Sequence, residues 1–347
     1  MKIWKALVTL SLLLLFTGIN AQRYFVTNQY VYDLFLMNPS AAAYNRSCIS
    51  INGFYQRQWF GMDNAPTTQL LAAQLPLGGN IGSGTYLYND RNGNNRKLSV
   101  MQAFSVEVKL RENQRGNTSL VFGLAALLEQ ASIDQSSFEG GVGIDPVING
   151  NSDGGFGFNA NTGMMLRINR HHIGASVTNI FPQNNPMYNS EWEPELPVDL
   201  HVHAGTWFKY PGREVYFEPL LYYRQNSLDD KRLDVNMKLD FPTYKDQFSF
   251  WGILAYRHTL DHKWGKSLGA ATTVGINYKG LNVGLEHQLG LTTAQGHYGS
   301  AVMLVFGYNF CSGQRIRSLP CSERDPMLQG DFGDGPRSRR KGLFRKR

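Results

Sequence analysis

The chain has 347 residues, with 34 Lys and Arg against 27 Asp and Glu, a formal net charge of +7 and a mean hydropathy of −0.32. Ten Lys or Arg against four Asp or Glu fall in Gln314–Arg347 and two Lys in the first five residues, leaving the body near −1. That distribution excludes a basic nucleic-acid-binding body, and three cysteines are too few for a disulfide scaffold and form no CxxC pair for zinc.

Met1–Ala21 reads as a secretory leader: Lys2 and Lys5, the apolar run Ala6–Phe16, then small residues ahead of Gln22. A run of about eleven residues is roughly half of what a spanning helix needs, so the leader is set apart from the fold. Residues 22–46 follow as an N-terminal segment without strand periodicity, a candidate plug.

From 47 to 310 the dominant period is two. Strands are predicted near 47–59, 67–77, 81–90, 98–110, 118–131, 156–169, 171–180, 197–210, 214–226, 231–241, 247–259, 267–279, 281–290 and 297–310. In the tenth, Leu233, Val235, Met237, Leu239 and Phe241 interleave with Asp234, Asn236, Lys238 and Asp240, one face apolar and the other polar. Tight turns are predicted at Pro76–Asn80, Asn169–His172, Tyr210–Arg213, Asn226–Lys231 and Lys279–Asn282, and longer polar links at Asp90–Lys97, Asp134–Gly155 and Pro182–Leu196. Short turns at one end and long loops at the other suit an outer-membrane barrel with an even strand number.

A soluble sandwich also alternates, and three features separate the two. The strands reach about ten residues, enough to cross hydrocarbon when tilted. Aromatics pair near strand ends, Tyr86 with Tyr88, Tyr222 with Tyr223, Trp251 with Tyr256 and Tyr308 with Phe310, and are expected to form interfacial girdles. The polar faces are rich in Gly, Asn and Gln, which points to a wet or plugged lumen. The fold expected is therefore all-β, a transmembrane antiparallel β-barrel of about 14 strands, in the outer membrane, with both termini periplasmic and outer-membrane lipid as its first partner. On this facing, Met237→Arg is expected to harm assembly more than Asn236→Arg, since an Arg on the lipid face costs about 2–4 kcal/mol.

After Phe310 the alternation stops, and 311–347 reads as a basic tail without a core of its own. A bridge between Cys311 and Cys321 is open to an exported chain, the alternative being three free thiols. His201 and His203 share a strand face and His171 and His172 a turn, yet a metal centre needs three or four convergent ligands, so these read as lumen-facing polar residues. Ser249 and Ser300, with His258 and His297, have no spacing that binds them into a nucleophile-base set. The glycine-rich stretches lack the Lys-Ser/Thr of a phosphate loop. No catalytic site, metal or cofactor is expected.

The most distinctive local sequence is Asn38-Pro39-Ser40-Ala41-Ala42-Ala43, then Arg57-Gln58-Trp59-Phe60-Gly61, then Ala65-Pro66-Thr67-Thr68. Placed on one strand face, Arg57 could stack on Trp59. In order and spacing these segments resemble the PorP/SprF family of the type IX secretion and gliding machinery of Bacteroidetes. Arg57, Gln58, Trp59, Gly61, Pro66 and Thr68 match its pattern more closely than the Asn38-Pro39 stretch, where Ser40 and Ala43 depart from it. The resemblance implies a non-enzymatic barrel supporting secretion or surface attachment of cargo, with periplasmic ring components and the C-terminal domains of secreted adhesins as partners. The competing reading is a diffusion porin or hydrophobic-substrate channel, with residues 22–46 plugging its lumen.

Overall fold

A computed structural model describes residues 28–59, 61–62, 64–113, 116–136, 152–184, 195–211, 215–243, 248–260, 266–290 and 300–311. The leader, the tail with Cys321, and His297 lie outside these.

The strands are β1 (Cys48–Arg57), β2 (Thr67–Gly78), β3 (Ile81–Asn92), β4 (Asn95–Asn113), β5 (Gly116–Asp134), β6 (Ser152–Ile168), β7 (His171–Thr178), β8 (Asp199–Thr206), β9 (Phe208–Lys209), β10 (Tyr216–Asn226), β11 (Lys231–Pro242), β12 (Phe248–Thr259), β13 (Lys266–Tyr278), β14 (Leu281–Leu289) and β15 (Ala301–Cys311). Sequential antiparallel neighbours pair throughout, and β1 pairs with β15, which closes the ring. Both β8 and β9 pair with β10 on either side of Trp207. They are one interrupted strand, so the barrel is fourteen-stranded.

The alternation fixes the facing. On β11, Val235 and Phe241 are exposed while Asp234, Asn236, Lys238 and Asp240 are buried. Leu71, Leu87, Phe104, Leu124, Phe158 and Val274 likewise point outward around the ring. In a soluble protein that apolar belt would be an aggregation surface; in hydrocarbon it is the stable arrangement, because closure leaves no unpaired strand edge. Among the outward polar groups, Gln102 Nε2 donates to Ser83 Oγ at 2.9 Å and its carbonyl accepts from Thr85 Oγ1.

Two sequence expectations are corrected. Asp90–Lys97 is no loop, since β3 and β4 run on to Asn92 and Asn95 and turn through Gly93, whose φ of 59° a glycine adopts without strain. Tyr86, Tyr88, Tyr222 and Trp251 form no lipid girdle. They share strand parity with the buried residues: Tyr222 and Trp251 are buried, and Tyr86 and Tyr88 line an internal cavity. Tyr256, Tyr308 and Phe310 do face outward.

The strand ends sort the connections. On the side where β1 begins and β15 ends, neighbouring strands join at 79–80, 114–115, 169–170, 210–215, 243–247 and 279–280. The connections at 58–66, 135–151, 179–198 and 290–300 lie on the opposite side, together with the shorter ones at 93–94, 227–230 and 260–265, so the expected sorting of tight turns to one end fails at Asn226–Lys231. Cys48 is disulfide-bonded and faces Cys311 across the closing β1–β15 pair. The expected Cys311–Cys321 pair rests on Cys321 and the Cys311 side chain, which lie outside the described residues.

Candidate functional site

Residues 28–46 run through the lumen of the barrel. They form a short helix α1 (Gln29–Tyr32) and two 3-10 turns, Leu34–Leu36 and Pro39–Ala41, and every residue from Asn28 to Leu36 is buried. Each turn is built locally. Asp33 accepts from the Phe35 backbone N–H at 3.1 Å, and Asn38 Oδ1 accepts from the Ser40 N–H at 3.0 Å, while Pro39 sits at the first position of its turn, where no backbone donor is needed.

The segment descends through the lumen. Arg257, near the end of β12 on the side of the long connections, donates to Asn28 Oδ1 at 2.9 Å. Tyr30 donates to Asp234 on β11, and Tyr32 meets Thr273 at 2.6 Å and Glu286 at 2.8 Å on β13 and β14. Asp33 Oδ2 accepts from Asn52 at 2.9 Å and Gln74 at 2.7 Å on β1 and β2. Ser176 of β7 donates to the Met37 carbonyl at 2.6 Å and Ser105 of β4 to the Ala42 carbonyl at 2.7 Å. Arg46 Nε closes the series 3.7 Å from Glu107, which also pairs with Arg167. The first described residue thus lies toward the end of the barrel away from Cys48, and the expectation of two periplasmic termini concerns residues outside the described set.

The wall is shaped to admit this segment. A Cβ on Gly123 would lie 2.2 Å from the Ser40 nitrogen and 2.3 Å from the Pro39 carbonyl carbon. One on Gly163 would lie 2.0 Å from Asn38 Oδ1. Both glycines let chain pass where any side chain would collide. Apolar contacts complete the fit: Tyr30 stacks on Tyr222 at 4.2 Å, Tyr32 packs edge-on to Trp251 at 5.9 Å, and Phe35 packs on Tyr86 at 6.2 Å.

Asp33 joins the segment to two strands at once, and the amide donors of both Asn52 and Gln74 lose their acceptor if the carboxylate is removed. Asp33→Ala is expected to cost about 2–3 kcal/mol through the stranded donors. A lowered urea midpoint for the vesicle-inserted barrel would register it; an unchanged midpoint would show that Asp33 contributes nothing.

The residues singled out by sequence divide between two places. Asn38 and Pro39 are buried in the plug, where Asn38 Nδ2 also donates to the Met164 carbonyl at 3.3 Å and meets His203 Nε2 at 3.1 Å. Arg57, Gln58, Trp59, Gly61, Pro66 and Thr68 lie about the β1–β2 connection at the far rim. β1 ends at Arg57 and Trp59 turns left-handed with φ 52°, so the two do not share a strand face. Gln58 N–H donates to the Pro66 carbonyl at 2.9 Å, and Thr68 Oγ1 donates to Asp90 at 2.6 Å.

His201 pairs with Tyr222 at 2.6 Å and with Thr178 at 3.0 Å. Among the described residues no group of three His, Cys, Asp or Glu could hold a metal. Ser249 and His258 stand near opposite ends of β12, out of each other's reach. Sequence reasoning missed the plug's partners on the wall. Parity could have exposed some of them, since Gly82, Gly84, Tyr86 and Tyr88 alternate against the outward Ile81 and Leu87.

The family model described as "Type IX secretion system membrane protein PorP/SprF" matches residues 19–308. No curated protein matches the chain. Among solved structures it is similar to the CymD monoaromatic hydrocarbon channel, at 10% identity and a TM-score of 0.49 over 84% of this chain and 94% of that one. It is similar also to a Pseudomonas aeruginosa FadL homologue, at 9% identity and a TM-score of 0.47 over 78% and 91%. An OmpF of Salmonella typhi matches at 9% identity and a TM-score of 0.32 over 76% and 98%.

Proposed function

The chain belongs to the PorP/SprF family of type IX secretion system membrane proteins, and from that premise we propose that it supports secretion or surface attachment of cargo by binding partners rather than by catalysis or by passing solutes. The observation that carries this reading is the occupied lumen. Residues 28–46 are hydrogen-bonded to strands on every side of the ring and take the volume a diffusing solute would need. Surfaces left for partners are the long connections at one end and the basic tail at the other.

On this proposal the tail, Gln314–Arg347, engages acidic partners in the periplasm, such as ring components, while the long connections meet the C-terminal domains of adhesins. The lipid-facing belt serves as the anchor that holds both surfaces at the membrane. The full chain, purified from native outer membranes, is expected to bring ring components with it. A chain ending at Gly313 should insert equally well and recover several-fold less. Recovery of no secretion component by the full chain would discard the role, and equal recovery without the tail would discard the tail's part in it.

A further inference from the structure

The plug does not fill the barrel to the rim. Beside it remains a cavity of about 570 Å³, lined on the plug side by Gln29, Tyr30, Leu36 and Met37 and reaching Asn92 and Asn95 of the β3–β4 hairpin. That volume falls in the range of small-molecule sites, about 300–1,000 Å³. We propose that this cavity binds a neutral saccharide.

The wall charges are already engaged, Asp90 by the Thr68 hydroxyl at 2.6 Å and the others by one another, which selects against an ionic ligand. Lys97 Nζ sits 2.7 Å from Glu129, Arg224 Nε donates to Asp199 at 2.8 Å, and Arg232 Nε donates to Asp234 at 2.7 Å. A charged ligand would have to displace one of these carboxylates or ammonium and guanidinium groups. Arg96, exposed at the rim, is turned onto Asn89 Oδ1 at 2.8 Å. A hydroxyl group, by contrast, donates and accepts together, so it can bridge a paired cation and anion and leave both satisfied.

The plug side carries a donor without a partner. Gln29 is 2% exposed, and its amide nitrogen meets no acceptor among the described residues. A buried donor left unmade is costly, and a ligand hydroxyl brought to Gln29 would satisfy it. Beside it, the rings of Tyr86 and Tyr88 with Leu36 and Met37 offer apolar surface to the C–H face of a sugar ring.

The cavity's shape argues against an extended peptide. A peptide passing through needs an exit, and the plug closes the base. A peptide entering end-on brings a charged terminus into a wall where Lys97, Arg224 and Arg232 are paired with carboxylates and Asp90 is held by Thr68. A compact, uncharged, hydroxyl-rich ligand meets neither obstacle.

The inference is independent of the secretion role. The full mature chain in detergent micelles would be applied to an array of neutral, acidic and amino glycans, and the best neutral trisaccharide measured by titration calorimetry. Binding confined to neutral glycans is expected, with Gln29→Leu weakening it about tenfold. Should Gln29→Leu loosen the plug, Glu129→Gln provides the second reading. It frees Lys97 on the wall and is expected to weaken the neutral ligand and admit acidic glycans. Wild-type protein that retains no neutral glycan, that prefers charged ones, or whose affinity is unmoved in both variants would overturn the proposal.

Discussion

Removing residues 28–46 is expected to turn a silent barrel into one with steady open-channel conductance in planar bilayers. The wall residues that now bond to the plug, among them Asp33's partners Asn52 and Gln74, and also Asp234, Thr273 and Glu286, are polar and would be rehydrated rather than collapse together. The closed β1–β15 pair keeps the ring intact, because the strand ladder does not run through the plug. Gly123→Val is expected to approach the same result by a single change. Its Cβ would enter the backbone of Pro39 and Ser40, which can yield only if the plug moves. Overpacking of this kind costs about 1–3 kcal/mol and more where backbone must shift. Wild-type protein that conducts as freely as the deletion would refute the sealed lumen and restore the porin reading.

Leu124→Arg is expected to lower barrel stability by about 2–4 kcal/mol, the cost of a cation near the middle of the lipid face. Leu124 is 69% exposed, near the middle of the 19-residue β5, and directly beside the plug-facing Gly123. Leu124→Ala should stay within about 1 kcal/mol of wild type, since an outward side chain loses only lipid contact and leaves no cavity. Urea midpoints in lipid vesicles distinguish the two, and equal midpoints would mean that this face does not meet hydrocarbon. The structure also changes the contrast drawn from Met237 and Asn236. Asn236 Nδ2 donates to Tyr30 at 3.1 Å and to the Leu220 carbonyl at 3.3 Å, so Asn236→Arg would strike the plug instead of entering water. The penalty gap between the two variants narrows accordingly.

Local chemistry made much of this architecture legible. The alternation of Leu233 to Phe241 against Asp234 to Asp240 is a property of neighbouring residues, and side chains two apart on a strand must share a face. Strand number, the outward belt and the front motif all follow from such short-range patterns. The error over Tyr86, Tyr88, Tyr222 and Trp251 came from reading aromatic clustering instead of parity. The inward facing of Tyr86 and Tyr88 was already written beside the outward Ile81 and Leu87, that of Tyr222 beside Leu221 and that of Trp251 beside Phe250.

The sequence by itself determined the closed β-sheet, because an apolar face repeated every second residue over fourteen strands is stable only where hydrocarbon covers it and no edge is left. Only the tertiary structure decided what fills the barrel. Tyr30 meets Asp234 across 204 positions and Asn38 meets His203 across 165, and such pairings depend on the register of every strand between. The same is true of Cys48, whose place opposite Cys311 exists only once the ring has closed. No local pattern encodes a contact whose two halves come from opposite ends of the chain.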